Sequence, residues 1–377
     1  MQKKIVPLPA LTSLRFFAAL AILALHCEGY FGIAKPFVRQ IYNTQPVSFF
    51  FVLSGFIMFY CYPYFERAGD VLRFYRARWS RIWPTHILAF IVAFLASHRP
   101  DSDYFIYGKS ALESVGMALS NILLIQAWIP KQSFYSSYYS HSWSISTEFF
   151  FYLLFPVFVY GFARRWKLWL GLSVGLVLAA MIASGVFEIP SYRSGFDGLT
   201  TSALFHVNPV VRVFEFILGM TVGLVFTKYQ TENGAAGKTL KGTLWEVGAL
   251  ILLIINMRSS ILLGWSFSGV ATTGVAAWLV HSGSCLGAAF LIYTFAKHEG
   301  AISQFLSRKF FVLLGEISFT LYMIHGHYMM AFRKGDHPLD VLPLPLQFPA
   351  YLFLMMVMSY VFWKWFEVPV RKRLLRS

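Results

Sequence analysis

The sequence predicts an all-α fold, a polytopic transmembrane helical bundle of about ten spans with both termini cytoplasmic, and three observations predict it. Of its 377 residues, 57% are hydrophobic and 19% aromatic while only 13% are charged, a balance no soluble domain of this size needs. Apolar stretches long enough to enter or cross a bilayer recur along the chain. The 32 Lys and Arg residues gather between them, mainly on segments placed inside, as the positive-inside rule asks. That rule accounts for the net charge of +15, so no nucleic-acid partner is expected. Cys27, Cys61 and Cys285 lie in or beside apolar segments without metal-ligand spacing, which predicts packing residues rather than a disulfide framework or a metal site.

The first span, about Leu11 to Gly32, carries Arg15 and His26. Eleven positions are roughly three helical turns, so the two side chains share a face about 16 Å apart along the axis. Burying an Arg near a bilayer centre costs at least about 2.5 kcal/mol, so such a charge points to function and faces protein or a water-filled cavity. The bland alternative makes Arg15 a snorkelling anchor and His26 an interface residue. Cys27 follows His26 directly, and neighbours on a helix do not face each other, which argues against a Cys/His nucleophilic pair. No small-residue cleavage pattern precedes the span, so it is read as retained.

Span 2, about Pro46 to Tyr64, contains Ser54 and Gly55, small residues that let another helix or a ligand approach the backbone. The basic run Arg67, Arg73, Arg76, Arg78 and Arg81 follows, ahead of span 3 at about Trp83 to Ser97. Arg78 and Arg81 are three apart on one face, suited to forked hydrogen bonds with phosphates or, alternatively, with anionic lipid headgroups. Residues 98–142 are more polar, and the amphipathic stretch Ser110 to Trp128 is read as lying on or dipping into the outer face. Span 4, about 141–162, sets Ser144 and Glu148 at an i, i+4 spacing. Ser142 or Ser144 is expected to cap that helix, and an acid inside a span implies a buried partner or a role.

Span 5 is expected at about Leu168 to Phe187. Span 6, about Val207 to Phe226, holds Arg212 and Glu215, three apart and able to neutralise each other. Residues 227–243 read as a flexible inside linker. Spans 7 and 8, about Leu244 to Asn256 and Gly274 to Ala296, are joined by a long apolar connection. Span 9 follows Arg308 and Lys309 and carries Glu316, Ser318, Tyr322 and His325, of which Ser318 and His325 share a face. Span 10 ends at Glu367, before the basic tail Arg371, Lys372, Arg373 and Arg376.

This constellation suits a phosphate-bearing donor that docks on arginines while its reactive end reaches His26, whose neutral imidazole accepts a proton from a hydroxyl. A carboxylate such as Glu148 would orient that imidazole, as the acid does in a catalytic triad. The contrasting reading is a transporter or flippase for a glycan or small anion, with Arg15 and His26 as binding or proton-relay groups. Such proteins often show repeated halves, and no internal repeat is present.

Five stretches in order, TSLRFFAALAILALH, SFFFVLSGF, FYRARWSRIWP, SWSISTEFFFYLLFP and GEISFTLYMIH, resemble the acyltransferase-3 family of bacterial integral-membrane transferases. Its relatives O-acetylate lipopolysaccharide O-antigens, exopolysaccharides and Nod factors. The resemblance covers essentially the whole chain, as a single integral-membrane acyltransferase domain over residues 1–377. It implies a multi-pass protein of the bacterial inner (plasma) membrane, in contact with membrane lipids, that moves an acyl group, expected to be acetyl, from acyl-coenzyme A to a glycan hydroxyl. The acceptor would be a cell-surface glycan or its lipid-linked precursor, with acetyl-CoA as co-substrate and no tightly bound cofactor. By this resemblance His26 is the catalytic base, Arg15, Arg78 and Arg81 hold the coenzyme A donor, and Glu148 and His325 line the same site. Glu148 is expected to be catalytic, and Ser144, Tyr322 and His325 to bind substrate. The family's usual opening is richer in Asp and Gly before the Arg, where this chain has Leu11, Thr12 and Ser13. Some relatives add an esterase-like domain after the last span, and none is expected here.

Overall fold

The computed structural model describes residues 5–31, 45–97, 110–191, 196–229, 239–267, 269, 272–297, 299–331 and 338–376, and all regular structure among them is helical. The longer helices are α1 (Pro9–His26), α2 (Gln45–Cys61), α3 (Ala68–Ser97), α4 (Ala111–Ile122), α5 (Trp143–Val159) and α6 (Phe162–Val186). They continue as α7 (Pro209–Tyr229), α8 (Leu240–Ser266), α9 (Thr273–Ser282), α10 (Cys285–Lys297), α11 (Lys309–Ala331), α12 (Leu344–Phe362) and α13 (Val368–Arg376). Among the described residues, seven helical segments are long and apolar enough to cross a membrane, and α2 and α5 are apolar but shorter.

Burial sorts these helices into centre and rim. The segment containing α7 has 67% of its apolar window buried, against 17% for α6 and 22% for α8. With lipid as apolar as leucine, helices associate through close packing rather than hydrophobic exclusion, and small residues permit it. The α2–α7 pair shows this. A Cβ at Gly55 would run into the Phe216 carbonyl, and one at Gly219 into the Val52 carbonyl. Gly55 thus serves helix packing, while its neighbour Ser54 remains free to line a cavity. Likewise Gly315 of α11 lies against the Thr12 carbonyl of α1, which brings the two helices into register along their length.

Several boundaries differ from those read in the sequence. From Arg73 onward the basic run is not a connection before span 3 but the opening turns of α3, a single helix of 30 residues that continues through Pro84. Pro84 removes one backbone donor, and the Arg, Leu and Ala residues around it favour helix. The turn into α3 is fixed by Asp70, which accepts from the backbone N–H groups of Glu66 (3.1 Å) and Arg67 (3.0 Å) and pairs with Arg73. Helix α8 runs 27 residues, through part of the apolar connection, and the next segment breaks into α9 and α10 at Gly283 and Ser284. Ser142 sits at the N-cap of α5 but makes no capping hydrogen bond, and Ser144 instead donates to the His141 carbonyl at 3.0 Å. Residues 110–142 dip into the bundle: His86 donates from Nε2 to the Asn121 carbonyl (2.8 Å) and accepts the Tyr139 hydroxyl at Nδ1 (2.6 Å). Part of that polar stretch, 98–109, and most of the 227–243 linker, 230–238, lie outside the described residues.

Candidate functional site

Two cavities lie one beyond the other along α1, and Arg15 and His26 belong to different ones. The first, of about 190 Å³, is lined by Arg15, Arg78, Arg81 and Glu148, with Ser54 and Tyr152 on its wall. All three predicted donor-binding arginines converge here, although Arg15 comes from α1 and the other two from α3. Three guanidinium groups face one carboxylate, so the space is built for anions.

Each charge in this first cavity has a support. Glu148 accepts hydrogen bonds from the Ser54 hydroxyl (3.3 Å) and the Tyr152 hydroxyl (2.5 Å) and acts electrostatically on Arg15. The Arg78 guanidinium sits over the rings of Tyr62, Phe74 and Tyr152 at 5.7, 5.9 and 5.8 Å. Aromatic faces steady a cation without using its N–H donors, and Arg78 Nε is buried without a hydrogen-bond partner among the described residues. A second acid, Glu367, is delivered by the π-helical turn Trp363–Glu367, accepts from Thr320 Oγ1 at 2.6 Å, and adds negative potential at Arg15 and Arg81.

The second cavity, of about 200 Å³, is walled by His26, His141, His206 and Trp143. His26 ends α1, and although the bundle surrounds it, its side chain is exposed to this space. Behind it lies His325, fully buried on α11, whose Nε2 is 2.8 Å from His26 Nδ1. His325 Nδ1 is 2.8 Å from the Tyr322 carbonyl of its own helix. The His141 ring stacks on His325 at 4.4 Å.

One ring nitrogen from each of His26, His141 and His325 falls within 4.8 Å of the other two, a grouping able to approach a metal ion. The spacing fits hydrogen bonding better. Two ligands 2.0–2.1 Å from one tetrahedral ion stand about 3.3 Å apart, whereas His26 and His325 are 2.8 Å apart, a hydrogen-bond distance.

The two cavities share Val47 and Tyr322. The Tyr322 hydroxyl is 2.7 Å from Ser144 Oγ, and both hydroxyls also reach the His141 carbonyl, at 3.1 and 3.0 Å. Tyr322 and Ser144 are therefore the partition between the cavities.

Of the predicted site residues, Arg15, Arg78, Arg81, Glu148 and Ser144 line the first cavity, Tyr322 lines both, and His26 lines the second. Two placements differ from expectation. Glu148 is among the arginines rather than on His26, and the group hydrogen-bonded to His26 is His325, which stands behind the wall. Ser318, on the face of α11 shared with His325, lines the arginine cavity. Sequence reading missed Tyr152 and Glu367 as site residues, gave Ser54 only as a small residue open to a helix or a ligand, and set His141 at the start of span 4 without a role. Glu367 and Glu148 carried the signal that any acid in an apolar span carries, a desolvation cost that needs a partner.

Comparison with known proteins agrees with this layout in extent. A family model described as an acyltransferase domain matches residues 8–364. The acyltransferase MdmB of Streptomyces mycarofaciens is 27% identical over 357 residues, covering 89% of this chain and 84% of its own. The O-acetyltransferase OatA of Staphylococcus aureus (strain NCTC 8325 / PS 47) is 21% identical over 386 residues, covering 97% of this chain. The match spans only 57% of OatA's length. No solved structure matches significantly.

Proposed function

Because the chain belongs to this acyltransferase family, we propose that it is an acyl-coenzyme A-dependent O-acyltransferase that moves an acetyl group onto a hydroxyl of a cell-surface glycan or its lipid-linked precursor. The observation that carries the reading is the pair of cavities meeting at Tyr322, one rich in arginine and the other opening onto a histidine. In a bundle of about ten spans with both termini inside, set in the bacterial inner membrane, the arginine cavity opens to the cytoplasm. Coenzyme A then places phosphates on Arg15, Arg78 and Arg81, the Arg78 Nε supplying a donor that has no partner among the described residues. The roughly 16 Å rise from Arg15 to His26 is the span that the thiol-bearing arm follows toward the partition.

The acceptor hydroxyl enters from the histidine cavity. His26 takes its proton as the oxygen attacks the thioester carbonyl carbon. A C–O bond forms, the C–S bond breaks, and the proton on His26 leaves with the thiolate as free coenzyme thiol. Ser144 and Tyr322 stand at the partition, where each hydroxyl exchanges its hydrogen bond to the His141 carbonyl for one to the thioester carbonyl oxygen as that oxygen gains charge. Glu148 serves as the counter-charge that holds the empty arginine cavity together.

Transfer of radiolabel from acetyl-coenzyme A to surface polysaccharide, in membranes carrying equal amounts of the wild-type chain or His26→Ala, tests this. Label is expected only with the wild type. Equal labelling by both removes His26 from the chemistry, and no labelling by the wild type rejects this donor and acceptor.

A further inference from the structure

The hydrogen bonds around His26 determine which of its nitrogens does the chemistry. A peptide carbonyl only accepts, so the 2.8 Å contact between the Tyr322 carbonyl and His325 Nδ1 places a proton on that nitrogen. Neutral His325 then carries its lone pair on Nε2. That lone pair meets His26 Nδ1 at 2.8 Å, so the donor in this contact is His26 Nδ1–H. By elimination the lone pair of His26 is on Nε2, on a side chain exposed to the second cavity.

We propose that His325 is a positioning residue that holds His26 in its Nδ1-protonated form, through the chain Tyr322 carbonyl to His325 to His26, so that His26 Nε2 takes the acceptor's proton. The proposal rests on the reading of His26 as the base. It assigns to a buried neutral imidazole the orienting task that a carboxylate performs in a serine triad. Such a partner avoids placing a second charge in a low-dielectric site.

The surroundings fix His325 for this task. It is 0% exposed, its ring is within 11° of parallel to that of His26, and His141 stacks on it. The Tyr351 hydroxyl bonds its backbone carbonyl at 2.6 Å. When His26 accepts a proton at Nε2, its Nδ1–H bond to His325 becomes charge-assisted and strengthens, so the contact favours the state formed during transfer. The charge stays on His26, because passing the Nδ1 proton on to His325 Nε2 would move it onto a fully buried ring.

Two variants and a spectroscopic readout test the idea. His325→Gln keeps an oxygen able to accept from His26 Nδ1–H, and His325→Leu does not. The expected result for Leu is a fall in kcat of about 100-fold or more with the donor KM within about twofold, and recovery by Gln to within about tenfold of wild type. In ¹⁵N spectra of histidine-labelled protein, with the His26 signals assigned by their loss in His26→Asn, wild type is expected to show a protonated Nδ1 and a bare Nε2. That pattern should be kept in Gln and lost in Leu. A protonated Nε2 in wild type, equal kcat losses for Gln and Leu, or stoichiometric zinc in the purified protein that the Leu variant lacks would each overturn the proposal. If wild type transfers no acyl group, the reading of His26 as base fails, and the ¹⁵N pattern reports separately on the hydrogen-bond chain.

Discussion

The two cavities that meet at Tyr322 solve the problem of polar groups inside a membrane bundle in opposite ways. The arginine cavity keeps charges and steadies them with Glu148, Glu367 and the rings around Arg78. The histidine cavity uses neutral groups and ties them to each other and to a backbone carbonyl. Charge recruits an anionic ligand, whereas a neutral, oriented imidazole is ready to receive a proton. On the proposed function, affinity falls to one cavity and bond-making to the other.

Mutations should separate these roles. The largest effect is expected for His26→Ala, a loss of about 10²–10⁴-fold in kcat with the donor KM little changed, read from initial rates of label transfer. Next comes a comparison within the buried arginines. Arg212 makes a 3.0 Å ion pair with Glu215, bonds Ser282 Oγ and the His281 carbonyl, and both members of the pair are buried. Breaking that pair with Arg212→Met should destabilise the fold by about 3–5 kcal/mol, and Arg212→Met with Glu215→Leu should recover most of it, as measured by denaturation in detergent. Donor KM should not change in the double variant. Arg78→Ala should act in the opposite sense, leaving stability nearly intact while raising the donor KM by roughly 10- to 150-fold, the equivalent of about 1.5–3 kcal/mol for hydrogen bonds to a charged group. The smallest effect is assigned to Tyr322→Phe, a roughly 2- to 10-fold loss in kcat from one hydroxyl at the partition.

Arg212 and Arg78 also mark how far the sequence could be read. Arg212 and Glu215 are three apart on one helix, and that spacing alone foretold their pairing. The shared face of Arg78 and Arg81 followed from the same arithmetic, and the helical, membrane-spanning class followed from composition. Contacts between distant helices had no such signal. His26 and His325 are separated by 299 positions, and nothing in the spacing of either span shows that α11 turns its histidine onto the end of α1. Glu148 was legible as an acid needing a partner, and Tyr152 stands four positions further along the same helix, a spacing the sequence carries, whereas the contact with Ser54 depends on how α2 seats against α5. The start of α3 was set too late because the arginines ahead of span 3 read as a connection, yet the helix begins at Ala68 and carries them. His141 was legible as the residue that opens span 4, but its stacking on His325 depends on how residues 110–142 dip into the bundle, set by buried hydrogen bonds such as those of His86.

The division of labour between the cavities is tested most directly by equilibrium binding of radiolabelled coenzyme A to purified wild type, His26→Ala and Arg78→Ala. Wild-type and His26→Ala proteins are expected to bind with the same Kd within about twofold, and Arg78→Ala at least about tenfold more weakly. A His26→Ala protein that loses the ligand as Arg78→Ala does, or an Arg78→Ala protein that binds like wild type, contradicts the account.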